Sequence, residues 1–235
     1  MIVTKKEALL FTDGRYFIQA SNELDNAHWK LMKQGLPGVP TWQEYIKQVP
    51  SGSTIGIDPT VINAGEAKEL EKELSSRGSK LIYTDNLVDR IRPKRPSRPR
   101  EPIKTHPLQY AGQSVESKLK ALCQSLKGKN MVISRLDEIA WLLNLRGSDI
   151  HCCPVFFSYC VVTPTGTLLY LQSPETLSDA VKAHLKENNI TLKPYDAITH
   201  DLSTYSSSVF SLDPEGTNMS IIKALGSVSL LNFFF

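Results

Sequence analysis

Hydrophobic positions along this chain switch repeatedly between a two-residue and a 3.6-residue period, the mark of alternating strands and helices. Ile2–Thr4 and Ala8–Thr12 read as strands joined by a Lys5-Lys6-Glu7 turn. A helix is predicted after Thr12-Asp13, running through Tyr16, Phe17 and Ala20. Trp29–Lys33 is a short strand, Thr41 or Trp42 opens a helix ending near Val49, and Thr54–Ile57 is a strand. Ala64–Ser76 is strongly amphipathic, with Leu70 and Leu74 on one face and Gly78 as its stop. Leu81–Thr84 then reads as a strand and Leu87–Ile91 as a helical turn.

The alternation breaks between Arg92 and Gly112, where Pro93, Pro96, Pro99, Pro102 and Pro107 exclude a helix interior or a central strand. Seven cations from Arg90 to Lys104 crowd the same stretch without interleaved aromatic residues. It reads as a solvated, semi-rigid extended linker rather than a basic patch for an acidic partner, since nucleic-acid stacking would want interleaved aromatic residues. Beyond it the pattern resumes. Ser114 caps a helix with Leu119, Leu122 and Leu126 facing inward and Gly128 at its end. Met131–Ser134 is a strand and Leu136–Leu143 a helix with Trp141 in its core. Val155–Thr163 and Thr167–Leu171 form a hairpin across Pro164-Thr165-Gly166. A helix over Pro174–Asn188, a strand at Thr191–Pro194, a polar helical turn and a strand at Val209–Leu212 complete the pattern. The organisation is therefore two α/β domains, residues 1–91 and 113–235, bridged by residues 92–112.

Composition changes little in this picture. Hydrophobic residues make up 41% and charged residues 22% of the 235, enough for packed cores without metal or disulfides. The net charge of +3 implies neither a nucleic-acid nor an anionic membrane partner. No segment approaches the roughly 18 consecutive apolar residues of a membrane-crossing helix, and no leader pattern opens the chain. Cys123, Cys152, Cys153 and Cys160 fall into no zinc spacing and read as reduced, buried thiols of a reducing compartment. Adjacent Cys152 and Cys153 make a poor disulfide, because their spacing fights the bond's geometry. A first segment that is already a core strand, and the apolar run Leu230–Phe235, predict a portion of a longer protein.

His28, His106, His151, His184 and His200 form no metal-binding array, and no phosphate loop or nucleophile motif is present. The charges of Glu66, Lys68, Glu69, Glu71, Lys72 and Glu73 read as an exposed ion-pair face. Two segments stand apart. In Thr12-Asp13-Gly14-Arg15-Tyr16-Phe17 a cation falls in a first helical turn, against the macrodipole. Arg15 is either a surface partner of Asp13 or a guanidinium held at a strand's carboxyl end to fork onto a carboxylate or carbonyl. In the second segment, the helix over Leu136–Leu143 is followed by Asn144–Asp149, which reads as a polar loop.

Together these segments resemble the N-terminal region of the cytosolic Xaa-Pro aminopeptidases, built from creatinase/prolidase N-terminal domains. Thr12–Phe17, Trp29–Met32, Ile57–Pro59, Asn86–Asp89, Leu136–Asp149 and Pro154–Tyr159 match that family in order. The match departs at Cys152-Cys153, where the family more often has a polar residue before the proline, and at Ser227–Phe235. The resemblance implies two successive creatinase-like domains, each a mixed sheet flanked by helices, the first lacking its opening strands. It implies a parent enzyme that releases an N-terminal residue preceding proline, with two manganese ions in a further domain. No catalytic residue, metal ligand or cofactor is expected within this chain. Arg15 is the substrate-facing residue the resemblance singles out. A cytoplasmic protein is implied, homodimeric in full-length form, without nucleic-acid or membrane partners. The alternative is a stand-alone binding or scaffold protein descended from the same family.

Overall fold

The computed structural model describes residues 1–205, 208–226 and 230–232, the last three as backbone alone. The apolar run Leu230–Phe235 otherwise lies outside the described residues. The backbone divides into two compact units: Met1–Gly56 with Lys68–Tyr83, and Ile57–Ala67 with the chain from Thr84 onward.

The first unit opens on β1 (Ile2–Val3) and β2 (Ala8–Thr12), antiparallel with Ile2 opposite Leu9. Thr4 closes the turn between them, its hydroxyl oxygen accepting from the amides of Lys6 and Glu7 at 3.1 Å. After α1 (Phe17–Glu23), β3 (Trp29–Lys33) lies parallel to β2, from Ala8 beside Trp29 to Thr12 beside Lys33. A helical crossover is what a parallel neighbour requires. Thr41 and Glu44 form a reciprocal capping box that starts α2 (Trp42–Lys47). Next come β4 (Thr54–Ile57), α3 (Ala64–Ser75) and β5 (Lys80–Tyr83), with β4 and β5 paired. Leu70 and Leu74 are buried on one face of α3, as their spacing predicts; each contributes about 1.5–3 kcal/mol by leaving water. The α3 charges are not paired only among themselves. Glu69 bonds Lys47 at 2.9 Å and Glu71 accepts from the Tyr83 hydroxyl at 2.7 Å.

The second unit continues through α4 (Leu87–Ile91), β6 (Lys104–Thr105), α5 (Leu108–Ala111) and α6 (Val115–Leu126). Then follow β7 (Asn130–Ile133), α7 (Leu136–Leu142), β8 (Leu145–Arg146), β9 (Ser158–Thr163) and β10 (Gly166–Leu171). The last elements are α8 (Asp179–Glu187), β11 (Ile190–Pro194), α9 (Ile198–Ser203), β12 (Phe210–Leu212), α10 (Met219–Leu225) and β13 (Leu230–Asn232). Six strands form one mixed sheet in the order β11-β10-β9-β7-β12-β13. Strand β9 runs antiparallel to both its neighbours, while β10 and β11, and β7, β12 and β13, are parallel sets. Every residue of β7 and β12 is buried, as strands covered on both faces must be.

Several expectations shift. The second half of the proline-rich bridge is structured: Lys104 and Thr105 pair with Arg146 and Leu145, and Leu108–Ala111 is helical. Proline spacing signals where ladders cannot run, but a two-residue pairing fits between Pro102 and Pro107. The supposed polar loop after α7 contains fully buried Leu145 and buried Asn144. Trp141 is no core residue; it is 47% exposed, and its ring lies 4.4 Å from the Lys118 Nζ. The Pro174–Asn188 helix divides into a short 3-10 turn at Pro174–Thr176 and α8, because the Ser178 hydroxyl caps α8 afresh. Cys152 and Cys153 are exposed rather than buried, Cys123 is half-buried and only Cys160 is fully enclosed.

Candidate functional site

Among the described residues three places offer chemistry: the carboxyl edge of β2, the corner between α6 and β8, and a cleft at the carboxyl end of β7. At the first, Asp13 leaves β2 in an extended conformation and its side chain accepts from the Arg15 amide at 3.0 Å. The next three residues, Gly14–Tyr16, form a 3-10 turn, and only then does α1 begin. Arg15 therefore precedes the α-helix instead of opposing its dipole from the first turn. Its guanidinium forks onto Asp13, Nε to Oδ1 and Nη2 to Oδ2, both at 2.9 Å. The hydrogen bonds from Arg15 hold the Asp13 carboxyl at about 2, far below its usual value, and Asp13 in turn raises the guanidinium's pKa. With 80% of the Arg15 side chain exposed, the pair stays in water. Beside it, Lys33 at the end of parallel β3 places its ammonium 5.7 Å from the Phe17 ring. With Arg15 itself 5.6 Å from the Tyr16 ring, the edge presents two cations and two aromatic rings at the carboxyl ends of parallel strands, where open α/β sheets bind ligands. It can hold an anion or a carbonyl, and it contains no nucleophile paired with a base.

The corner between α6 and β8 is a buried polar network that sequence reading missed. Lys118 is only 3% exposed. Its Nζ donates to the Trp141 carbonyl and to Asn144 Oδ1, each at 2.7 Å. Asn144 Nδ2 passes the chain on to the Gln113 carbonyl at 2.9 Å. Burial, and secondarily the charge of Arg146, lowers the pKa of this lysine. Arg146 is spent on the carbonyls of Ala140 and Leu145, both at 2.8 Å. Asp149 accepts from the amides of Glu101 and Phe157 at 2.8 Å. The second long motif therefore works largely as a framework: Arg146 and Asp149 satisfy backbone groups rather than face a ligand. The signal was available, since a lysine on the buried heptad face of α6 requires a polar partner.

The cleft has a volume of about 290 Å³ and is lined by Asn63, Ser134, Ser158, Tyr159, Tyr195 and Asn218 among others. Asn218 caps α10 through Oδ1 and donates through Nδ2 to the Tyr159 hydroxyl at 2.9 Å. Backbone hydrogen bonds from Ala64 to Thr217 and from Met219 to Ile62 fasten its wall. Arg135, between the lining residues Ser134 and Leu136, pairs with Asp213 at 2.6 Å. Amides and hydroxyls dominate this lining, so the cleft can accept a small polar group but cannot by itself move protons near neutral pH. Elsewhere, His184 bonds the Leu143 carbonyl at 2.9 Å and His28 pairs with Asp25 at 2.7 Å. Among the described residues no three His, Cys, Asp or Glu side chains converge as metal ligands. No helix among them is long and apolar enough to cross a membrane.

The creatinase/prolidase N-terminal domain family matches the chain twice, over residues 1–94 and 94–232. A probable Xaa-Pro aminopeptidase P of Pyricularia oryzae is 45% identical over 229 residues, covering 94% of this chain and 37% of its own length. Its counterpart in Talaromyces marneffei is 48% identical over 211 residues, covering 87% of this chain and 32% of itself. Among solved structures, the X-prolyl aminopeptidase of Caenorhabditis elegans, described as a cytosolic enzyme with a di-nuclear active site, superposes with a TM-score of 0.87 at 33% identity. That alignment covers 98% of this chain and 39% of the nematode protein. The chain thus spans between 32% and 39% of the length of these relatives.

Proposed function

The chain belongs to the creatinase/prolidase N-terminal domain family, and we propose that it acts as the non-catalytic N-terminal part of an Xaa-Pro aminopeptidase, shaping the peptide entrance and assembly. The observation that carries this reading is the correspondence of nearly the whole chain with about a third of such enzymes. The parent activity is metal-dependent release of an N-terminal residue that precedes proline. Two manganese ions are the cofactor we assign to the parent enzyme. The described residues do not fit such a centre, since no three ligating side chains converge, so no step of the chemistry is placed on them. In this reading residues 1–91 and 113–235 are the two domains, 92–112 joins them, and the full-length protein is a cytoplasmic homodimer.

Arg15 is the residue we assign to the substrate. Its guanidinium already sits in the fork geometry that suits a carboxylate, and Asp13 holds it there. A peptide carboxylate or carbonyl reaching the β2 edge can share that fork without moving the backbone. Two measurements test the proposal. With manganese and a peptide bearing proline at its second position, the 235-residue chain releases no N-terminal residue; release would overturn the non-catalytic reading. In a full-length enzyme carrying this region, Arg15→Ala raises KM by about tenfold while kcat holds, the pattern of lost ground-state binding. An unchanged KM removes Arg15 from the substrate path.

A further inference from the structure

Of the four cysteines, only two share one exposed site, and that site lies outside everything assigned above. Cys152 and Cys153 are adjacent, exposed and free. They occupy a tight turn in which the Cys153 amide donates to the Ile150 carbonyl at 3.0 Å. Cys152 sits at the third position of that turn with φ of 59°, a left-handed conformation in which glycine or asparagine is usual. The turn is anchored on its flanks: Asp149 accepts from the amides of Glu101 and Phe157, each at 2.8 Å. The other thiols are different. Cys160 lies in the central sheet, 0% exposed, where burial pushes its thiol up to about 12. Cys123 is half-buried on α6.

We propose that Cys152 and Cys153 form a two-sulfur capture site for trivalent arsenic species. Thiolate sulfur is a soft donor, and a soft trivalent centre with two exchangeable positions matches two neighbouring thiols. Once one sulfur is attached, the second sits on the adjacent residue and closes the chelate at a high effective concentration. Direct oxidation to a disulfide is the poorer outcome here. Adjacent Cα atoms are about 3.8 Å apart, below the roughly 4.4–6.8 Å that a disulfide spans without strain. An arsenic atom inserted between the sulfurs lengthens the bridge and relieves that constraint. The reaction balances without an oxidant: an organoarsenic oxide forms two arsenic–sulfur bonds, its oxygen leaves as water with both thiol protons, and arsenic stays trivalent.

Phenylarsine oxide is the probe. The reduced 235-residue chain is given one equivalent, challenged with excess 2-mercaptoethanol, and weighed intact by native mass spectrometry. One phenylarsenic group per chain is expected to survive the monothiol and to be stripped by 2,3-dimercaptopropanol. Peptide mapping is expected to place it on the segment holding Cys152 and Cys153. Cys152→Ser and Cys153→Ser each weaken retention by about a hundredfold or more, the loss expected when the second, intramolecular bond is removed, and Cys123→Ser leaves it unchanged. Removal by the monothiol, a map to Cys123, or equal retention in the Cys152→Ser chain would overturn the proposal. The map of the unaltered chain decides the matter even where a variant fails to fold.

Discussion

The two units carry the same β/α alternation but bury it to different depths. In the first, β4 and β5 alternate exposed and half-buried positions, and β2 and β3 each contribute one buried residue, Leu9 and Met32. In the second, β7 and β12 are buried throughout, and one continuous core extends from Val115 to Ile190. A strand covered on both faces contributes nearly every side chain to that core, whereas a one-sided strand contributes every second one. The second unit can therefore afford a buried cation at Lys118 and tightly fitted motif residues. The first keeps its distinctive charge, Arg15, in water. What differs is the depth at which each unit holds its polar groups.

The largest test removes core volume. Phe156→Ala, at a side chain 1% exposed in the second unit's core, should cost about 3–5 kcal/mol and lower the urea midpoint of that unit. Leu9→Ala is the contrasting change. Native-state hydrogen exchange should show protection lost in β1–β3 while β7 and β9 keep theirs; equal loss in both units would break the comparison. A smaller effect is expected at Gly147, where an added Cβ would lie 2.8 Å from the Phe156 Cβ and 2.9 Å from the Val155 carbonyl. Gly147→Ala should cost about 1–3 kcal/mol by overpacking, read as a lowered melting temperature.

Lys118→Met should cost about 1–3 kcal/mol near neutral pH, because it strips the donor from the Trp141 carbonyl and Asn144 Oδ1. It also carries a pH signature. Burial lowers the folded-state pKa of Lys118, so between that value and the ordinary lysine value, near 10.4, the unfolded chain binds more protons. Stability from this group rises with pH across that interval, and the substitution should flatten the rise. Parallel urea titrations of the two chains check it, because the tyrosines and Cys160 contribute equally to both. The smallest effect belongs to Asp13. Its carboxyl titrates at about 2 in the folded chain, so what the pair contributes is present above about pH 4 and is lost as pH falls towards 2. Arg15→Ala should return Asp13 towards its ordinary value, read by carbon-detected NMR, with little change in melting temperature.

Much of this was legible in the chain. The strands Ala8–Thr12, Trp29–Lys33 and Thr54–Ile57 and the turn Leu87–Ile91 fall where the pattern put them. Local physics sufficed there: alternating apolar residues, Thr41 and Ser114 at helix starts, and turn residues between. The family was legible too, because its two long motifs are contiguous in sequence. The two-residue strands β6 and β8 were not, since neither has a local signal and each exists only because the other is beside it. Trp141 reads as a core residue because its large apolar ring stands among Ile139, Leu142 and Leu143, but its position falls off their i, i+3, i+4 face and it is exposed. Its ring instead covers the buried Lys118 ammonium from the solvent side in a cation–π contact.

By itself, then, the sequence determined the family and most of the strands and helices, each signalled by short contiguous segments, and it placed Asp13 within reach of Arg15. Only the tertiary structure decided that Ile57–Ala67 packs with the second unit, that Lys118 and Asn144 meet in the interior, and that Cys152 and Cys153 face solvent while Cys160 does not. Those outcomes depend on contacts between positions far apart in the chain, and hydrophobic period reports which face of an element is buried, never what it is buried against.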